Sequence, residues 1–117
     1  MSKTWTLSLS EPWLKYVKEG QKRYEGRLYR GLPPRFQAGD LIEFYHETDL
    51  KQPPVTVKIV AIHRFVSFLE SLAKLPVAEI LPNVRTAEEG EQIYLKYASA
   101  ISQEKFGVCQ IEITKDL

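Results

Sequence analysis

Lys22, Glu25 and Arg27 lie within the stretch Gly20-Gln21-Lys22-Arg23-Tyr24-Glu25-Gly26-Arg27, which brings an amine, an acid and a guanidinium close together in the chain. The two cations can donate to a phosphate or to a base edge, and the carboxylate can accept from an amino group such as that of cytosine or guanine. A carboxylate set among donors reads a base in a way that a purely basic patch does not. The same residues also admit a plainer reading, an ion pair on one strand face that holds a barrel mouth in shape. Charges drawn toward a cavity cost desolvation unless they are paired or used, and this favours the ligand-binding reading.

Positioning these groups requires a turn and a strand. A helical pattern runs up to Gly20, and glycine supplies the left-handed stop that other residues adopt only at a cost. A strand pattern from Lys22 to Tyr29 then places Arg23, Glu25, Arg27 and Tyr29 on one face and Tyr24, Gly26 and Leu28 on the other. Lys22, before the strand settles, can swing toward the first face. Upstream, Trp5, Leu7 and Leu9 alternate as a strand. Ser10 is placed to cap a helix whose first turn holds Glu11 and Pro12, and whose apolar stripe is Trp13, Leu14 and Val17.

Downstream, Gly31-Leu32-Pro33-Pro34-Arg35 reads as a loop that excludes regular structure, because consecutive prolines remove amide donors. It holds Arg30 and Arg35 beside the motif as a cationic rim that Arg23 would extend. Gly39-Asp40 turns into a strand, Leu41 to His46, and a polar loop follows to Pro54. Val55 to Val66 forms the longest β-rich run, with Val55, Val57, Ile59, Ala61, His63 and Phe65 on one face; being apolar on both sides, it suits a curved or closed sheet. Ser67 with Glu70 and Thr86 with Glu89 have capping-box spacing. Pro76 and Pro82 break the chain between them, and the second helix presents Ile93, Tyr94, Tyr97 and Ala98 for packing. The last strand, Val108 to Thr114, sets Cys109, Ile111 and Ile113 inward and Gln110, Glu112 and Thr114 outward.

The spacing Gly-x-Lys-x-x-Glu-x-Arg, filled by Gly20, Lys22, Glu25 and Arg27, resembles the signature of the ASCH domain family, small β-barrel domains related to the PUA-like RNA-binding fold. The order of the chain around it is also similar: an early apolar strand, a short helix with Pro12-Trp13, the motif, the Ala38-Gly39-Asp40 turn, a helix with a Tyr-x-x-Tyr ending, and a strand opened by Phe106-Gly107-Val108. The resemblance implies a single α+β domain over residues 1–117, a PUA-like curved β-barrel of about five to six strands flanked by short helices. It implies a cleft edged by Lys22, Glu25 and Arg27 that binds single-stranded or modified RNA or a nucleoside-like ligand.

Some family members resemble enzymes. One branch hydrolyses the amide of N4-acetylated cytidine with the motif lysine, a threonine nucleophile and a glutamate from the later helical region. Here Glu25 stands in the nucleophile's place, and a carboxylate does not supply the lysine-activated hydroxyl of that mechanism. Ser8 and Thr86 are hydroxyls elsewhere in the chain. Other members cleave single-stranded RNA; on that pattern Glu25 would take the 2′-hydroxyl proton while Lys22 and Arg27 steady the phosphorane charge, with Glu79 as a second carboxylate. Lys22 and Glu25 are thus the candidate catalytic residues, and Lys22, Arg23, Glu25, Arg27, Arg30 and Arg35 the candidate ligand residues. A protein-interaction module without catalysis is the third reading.

Bulk properties bound the rest. The 117 residues carry 16 basic and 15 acidic side chains, so no global basic field draws nucleic acid and any such binding must be local. A single cysteine, Cys109, excludes an internal disulfide and a cysteine-based zinc site, and its apolar strand face suits an inert thiol. His46 and His63 lack metal-ligand spacing, and there is no phosphate loop or Ser/His/Asp set, so neither metal nor cofactor is expected. No run spans a bilayer and no leader pattern is visible, so the expected setting is cytoplasmic. Tyr24, Tyr29 and Tyr45 are more simply strand packing than base stacking, and Tyr94 and Tyr97 are read as helix-to-barrel packing.

Overall fold

Alternation of apolar and polar residues in five segments produces one five-stranded sheet in the computed structural model, which describes residues 2–117. The strands are β1 (Thr4–Leu9), β2 (Tyr24–Leu28), β3 (Leu41–His46), β4 (Val55–Phe65) and β5 (Val108–Thr114), in the order β1-β3-β4-β5-β2. β1 pairs with β3 in parallel and every other pairing is antiparallel. The sheet curls into a half-barrel, so β1 and β2 are its two free edges. The helices are α1 (Trp13–Lys18), α2 (Phe68–Lys74), α3 (Val77–Ile80), α4 (Ala87–Leu95) and α5 (Ala100–Phe106).

Two cores hold these elements. Inside the curl, Leu14 and Val17 of α1 meet Ile42, Phe44, Val57, Ile59, Cys109, Ile111 and Ile113. Outside it, Phe68, Leu72, Ile80, Leu81 and Tyr94 pack on Val108 of β5. β5 is therefore covered on both faces, and Gln110, expected to face outward, is fully buried. Its amide donates to Ser71 Oγ at 3.1 Å and Tyr94 Oη at 3.3 Å. The two-period alternation of β5 held; the helical layer on its second face reversed the solvent assignment.

Local chemistry sets most boundaries as expected. Gly20 has φ +81°, and Ser67 and Thr86 accept from the amides of Glu70 and Glu89. Four expectations fail for identifiable reasons. The Ser10 hydroxyl caps nothing: α1 starts after Pro12, the Glu11 carboxylate takes the Lys15 amide at 2.9 Å, and only the Ser10 carbonyl joins the helix, through Leu14 N. Pro33–Arg35 forms a 3-10 turn, because prolines at its start occupy positions whose amides need no partner. A register shift between Ile59 and Ala61 breaks the alternation of β4, leaving Val60 exposed and turning Ile62 toward the core in place of Ala61 and His63. The helix expected to present Tyr97 for packing ends at Leu95: Ser99 caps a further helix, α5, by accepting from Ser102 N, and Tyr97, left at the junction, is 67% exposed instead of packed.

Candidate functional site

Because the sheet does not close, a cavity of about 510 Å³ opens between its edges. β1 contributes Leu7, Ser8 and Leu9, β2 contributes Glu25, Gly26, Arg27 and Leu28, and Trp13, Phe68, Leu81, Ile93 and Tyr94 form apolar walls. Arg30, Leu32, Glu47 and Tyr97 lie at its exposed margin. A largely apolar hollow with a few convergent polar groups is the usual form of a small-molecule site.

The motif side chains converge there on Glu25. Its Oε2 accepts from Arg27 Nε at 2.6 Å and its Oε1 lies 3.4 Å from Lys22 Nζ. The strand period brings Glu25 and Arg27 to one side, and they meet directly. Arg27 also donates from Nη2 to the Ser8 carbonyl at 2.9 Å, so its guanidinium spans the open seam from β2 to β1. Its Nη1 makes no hydrogen bond within the protein among the described residues. With its side chain 29% exposed, the arginine presents donors to the cavity while a buried carboxylate fixes its plane.

Lys22 is placed otherwise than its sequence position suggested. Its side chain is buried, and Nζ donates to the carbonyls of Tyr24 and Ile80, both at 2.6 Å, besides facing Glu25. An ammonium has three donors; two are spent on these carbonyls, and the ion pair with Glu25 stands on the remaining side. Burial pushes the amine below the ordinary lysine range, and the neighbouring Glu25 charge only partly opposes this. Lys22 thus forms part of the cavity floor, where it holds Glu25 and pins α3 to the start of β2.

The remaining candidates scatter. Arg23 precedes the strand and points away, with its guanidinium 3.6 Å from Glu79 at the surface. Neither Arg23 nor Glu79, considered above as a second carboxylate, lines the cavity. Arg35 stacks over Trp5 at 5.3 Å, outside the cavity lining, while Arg30 lies at the mouth, 5.0 Å above the Phe106 ring. Of the two hydroxyl residues considered, Ser8 lines the cavity, whereas Thr86 caps α4 and does not. His46 Nδ1 accepts turn amides of Thr48 and Asp49, and His63 bonds Glu112 at 2.8 Å.

Sequence reasoning missed Tyr94 as a wall of the site. Its ring stacks on Phe68 at 4.0 Å, and its hydroxyl lies against Gly26. A Cβ on Gly26 would come within 2.5 Å of that oxygen, so glycine in the motif serves close approach rather than an unusual dihedral. Burial, reinforced by the Glu25 charge, raises the pKa of Tyr94 well above the ordinary tyrosine range and keeps the hydroxyl protonated. Burial likewise pushes the Cys109 thiol up to about 12, which leaves it inert. The helical pattern of α4 gave the signal for the burial of Tyr94, but nothing local said what it would border.

A family model for the ASCH domain matches residues 7–115. The crystal structure of the hypothetical protein PH0355 is similar with a TM-score of 0.84 and 34% identity, over 94% of this chain and 96% of that one. A Pyrococcus furiosus protein solved by NMR is also 34% identical, with a TM-score of 0.75 and 94% of each chain covered. The crystal structure of ASCH from Zymomonas mobilis, 18% identical, shares the fold with a TM-score of 0.67 over 95% of this chain and 66% of its own. No curated protein matches the chain.

Proposed function

The chain belongs to the ASCH domain family, and from that premise we propose that it binds single-stranded RNA or a nucleoside-like ligand in the cavity between β1 and β2. The observation that carries this reading is the clamped arginine. Arg27 is oriented by Glu25 and by the Ser8 carbonyl, and it faces a hollow whose other walls are mainly apolar. A planar donor fixed before binding loses little freedom on meeting a base carbonyl or phosphate. The aromatic and aliphatic walls accept the flat face of a base, and Glu25 keeps the local charge near balance, which suits recognition over nonspecific attraction.

Hydrolysis of RNA or of an acylated cytidine is the weaker reading, because the Lys22 amine is buried against two carbonyls and Glu25 is held by two cations. Binding of a labelled random-sequence RNA pool to the protein and to Arg27→Ala tests the proposal. Saturable binding should weaken at least tenfold in the variant, equivalent to about 1.4 kcal/mol. Its salt dependence should reflect about two or three phosphate contacts, near −0.7 per contact. Equal affinity of the two proteins would remove Arg27 from the site.

A further inference from the structure

We propose that the cavity holds one base of a longer strand and that Tyr97, at its mouth, stacks the neighbouring base. This deepens the RNA-binding reading and rests on it. A volume of about 510 Å³ falls within the range for small ligands, roughly 300–1,000 Å³, and gives room for one nucleotide rather than a run of them. Whatever follows along the strand must cross the rim. Tyr97 lines that rim and is 67% exposed, while Tyr94 and Ala98 beside it are buried.

The backbone under the exposed ring is fixed. The amides of Tyr97 and Ala98 both donate to the Tyr94 carbonyl at 2.9 Å, closing the end of α4 in a tight turn. A bare aromatic face on a rigid support is what base stacking uses, and it is tolerant of base identity because every base has a π-face. The phosphate joining the two nucleotides would meet Arg30, an exposed mouth residue steadied over Phe106. The margin thus pairs an aromatic platform with a cation. Among the described residues, the cavity and its mouth set Lys22, Arg27 and Arg30 against Glu25 and Glu47, and this surplus of cations favours an anionic chain over a neutral peptide.

The test compares two hexaribonucleotide probes. One is a labelled random-sequence pool; the other is a set of four chains carrying a single base flanked by abasic positions, which preserves the phosphates. The wild-type protein should bind the pool roughly 5- to 150-fold more tightly than the best single-base chain, the range that stacking of one base supplies. Tyr97→Ala should erase that difference and Tyr97→Phe should keep it. Because the side chain is exposed, the melting temperature should not change. Equal binding of both probes by the wild type, or survival of the difference in Tyr97→Ala, overturns the proposal while leaving the cavity reading intact. Failure of the wild type to bind either probe overturns both.

Discussion

Two carboxylates are buried in this protein to nearly the same degree, Glu25 at 6% exposure and Asp40 at 4%, yet they are satisfied in opposite ways. Asp40 accepts from the Lys3 amide at 3.0 Å, the Trp5 indole at 2.9 Å and the Gln37 amide at 3.1 Å. These donors are neutral and tie the start of β1 to the turn entering β3, away from the cavity. Glu25 is held by the ammonium of Lys22 and the guanidinium of Arg27, and it borders the open seam. Burial alone therefore does not separate the two acids; the kind of partner does. Neutral donors close a joint in the fold at Asp40, whereas at Glu25 the carboxylate orients a guanidinium that is turned partly toward a hollow.

The largest effect should come from Glu25→Ala. It leaves Lys22 buried without its counter-charge and frees the Arg27 plane, which should cost about 3–5 kcal/mol in urea unfolding. A loss under 1 kcal/mol would mean that the cluster is far wetter than its geometry indicates. Lys22→Met should cost less, about 1–3 kcal/mol, because Glu25 keeps Arg27 while the Tyr24 and Ile80 carbonyls lose their donor. This variant also carries a pH signature. The folded amine titrates below the ordinary value of 10.5, so between the folded value and 10.5 the unfolded chain binds more protons and wild-type stability rises with pH. That rise should be missing from Lys22→Met, and parallel pH curves for the two proteins would contradict the assignment.

Asp40→Asn sharpens the contrast from the other side. The indole of Trp5, followed by the Lys3 amide, holds the folded carboxyl below its ordinary value of 3.8. Its contribution is present above that value and lost as pH falls through the lower, folded one. Wild type should therefore lose more stability on acidification than Asp40→Asn, with RNA binding equal in both at neutral pH. A binding defect in Asp40→Asn would break the division between joint and site. The smallest effect should come from Arg23→Ala. Its pairing with Glu79 is solvent-exposed and should contribute about 0–1 kcal/mol, with no change in ligand affinity. A marked loss of RNA binding would restore Arg23 to the interface.

Much of the site's local grammar was legible in the chain. The glycine stop at Gly20 and the two-residue period of β2 put Glu25 and Arg27 on one side, because backbone geometry over a few residues depends on nothing distant. The same locality made the caps at Ser67 and Thr86 readable. It failed where a second layer intervened: Gln110 kept its alternation but met helices instead of water, and Tyr97 kept its helical spacing but fell where α4 ends. Arg23 was misplaced because the strand starts at Tyr24, so the alternation did not extend back to it.

The order of residues by itself determined which groups could act together, through dihedral preference and periodicity. Only the tertiary structure decided which of them keep donors turned toward the cavity. Lys22 is occupied by the Ile80 carbonyl, 58 positions away, and the cavity exists because β1 and β2 remain unpaired edges of a curled sheet. Both are outcomes of distant segments packing on one another, and packing of that kind follows from the sum of many contacts rather than from any spacing along the chain.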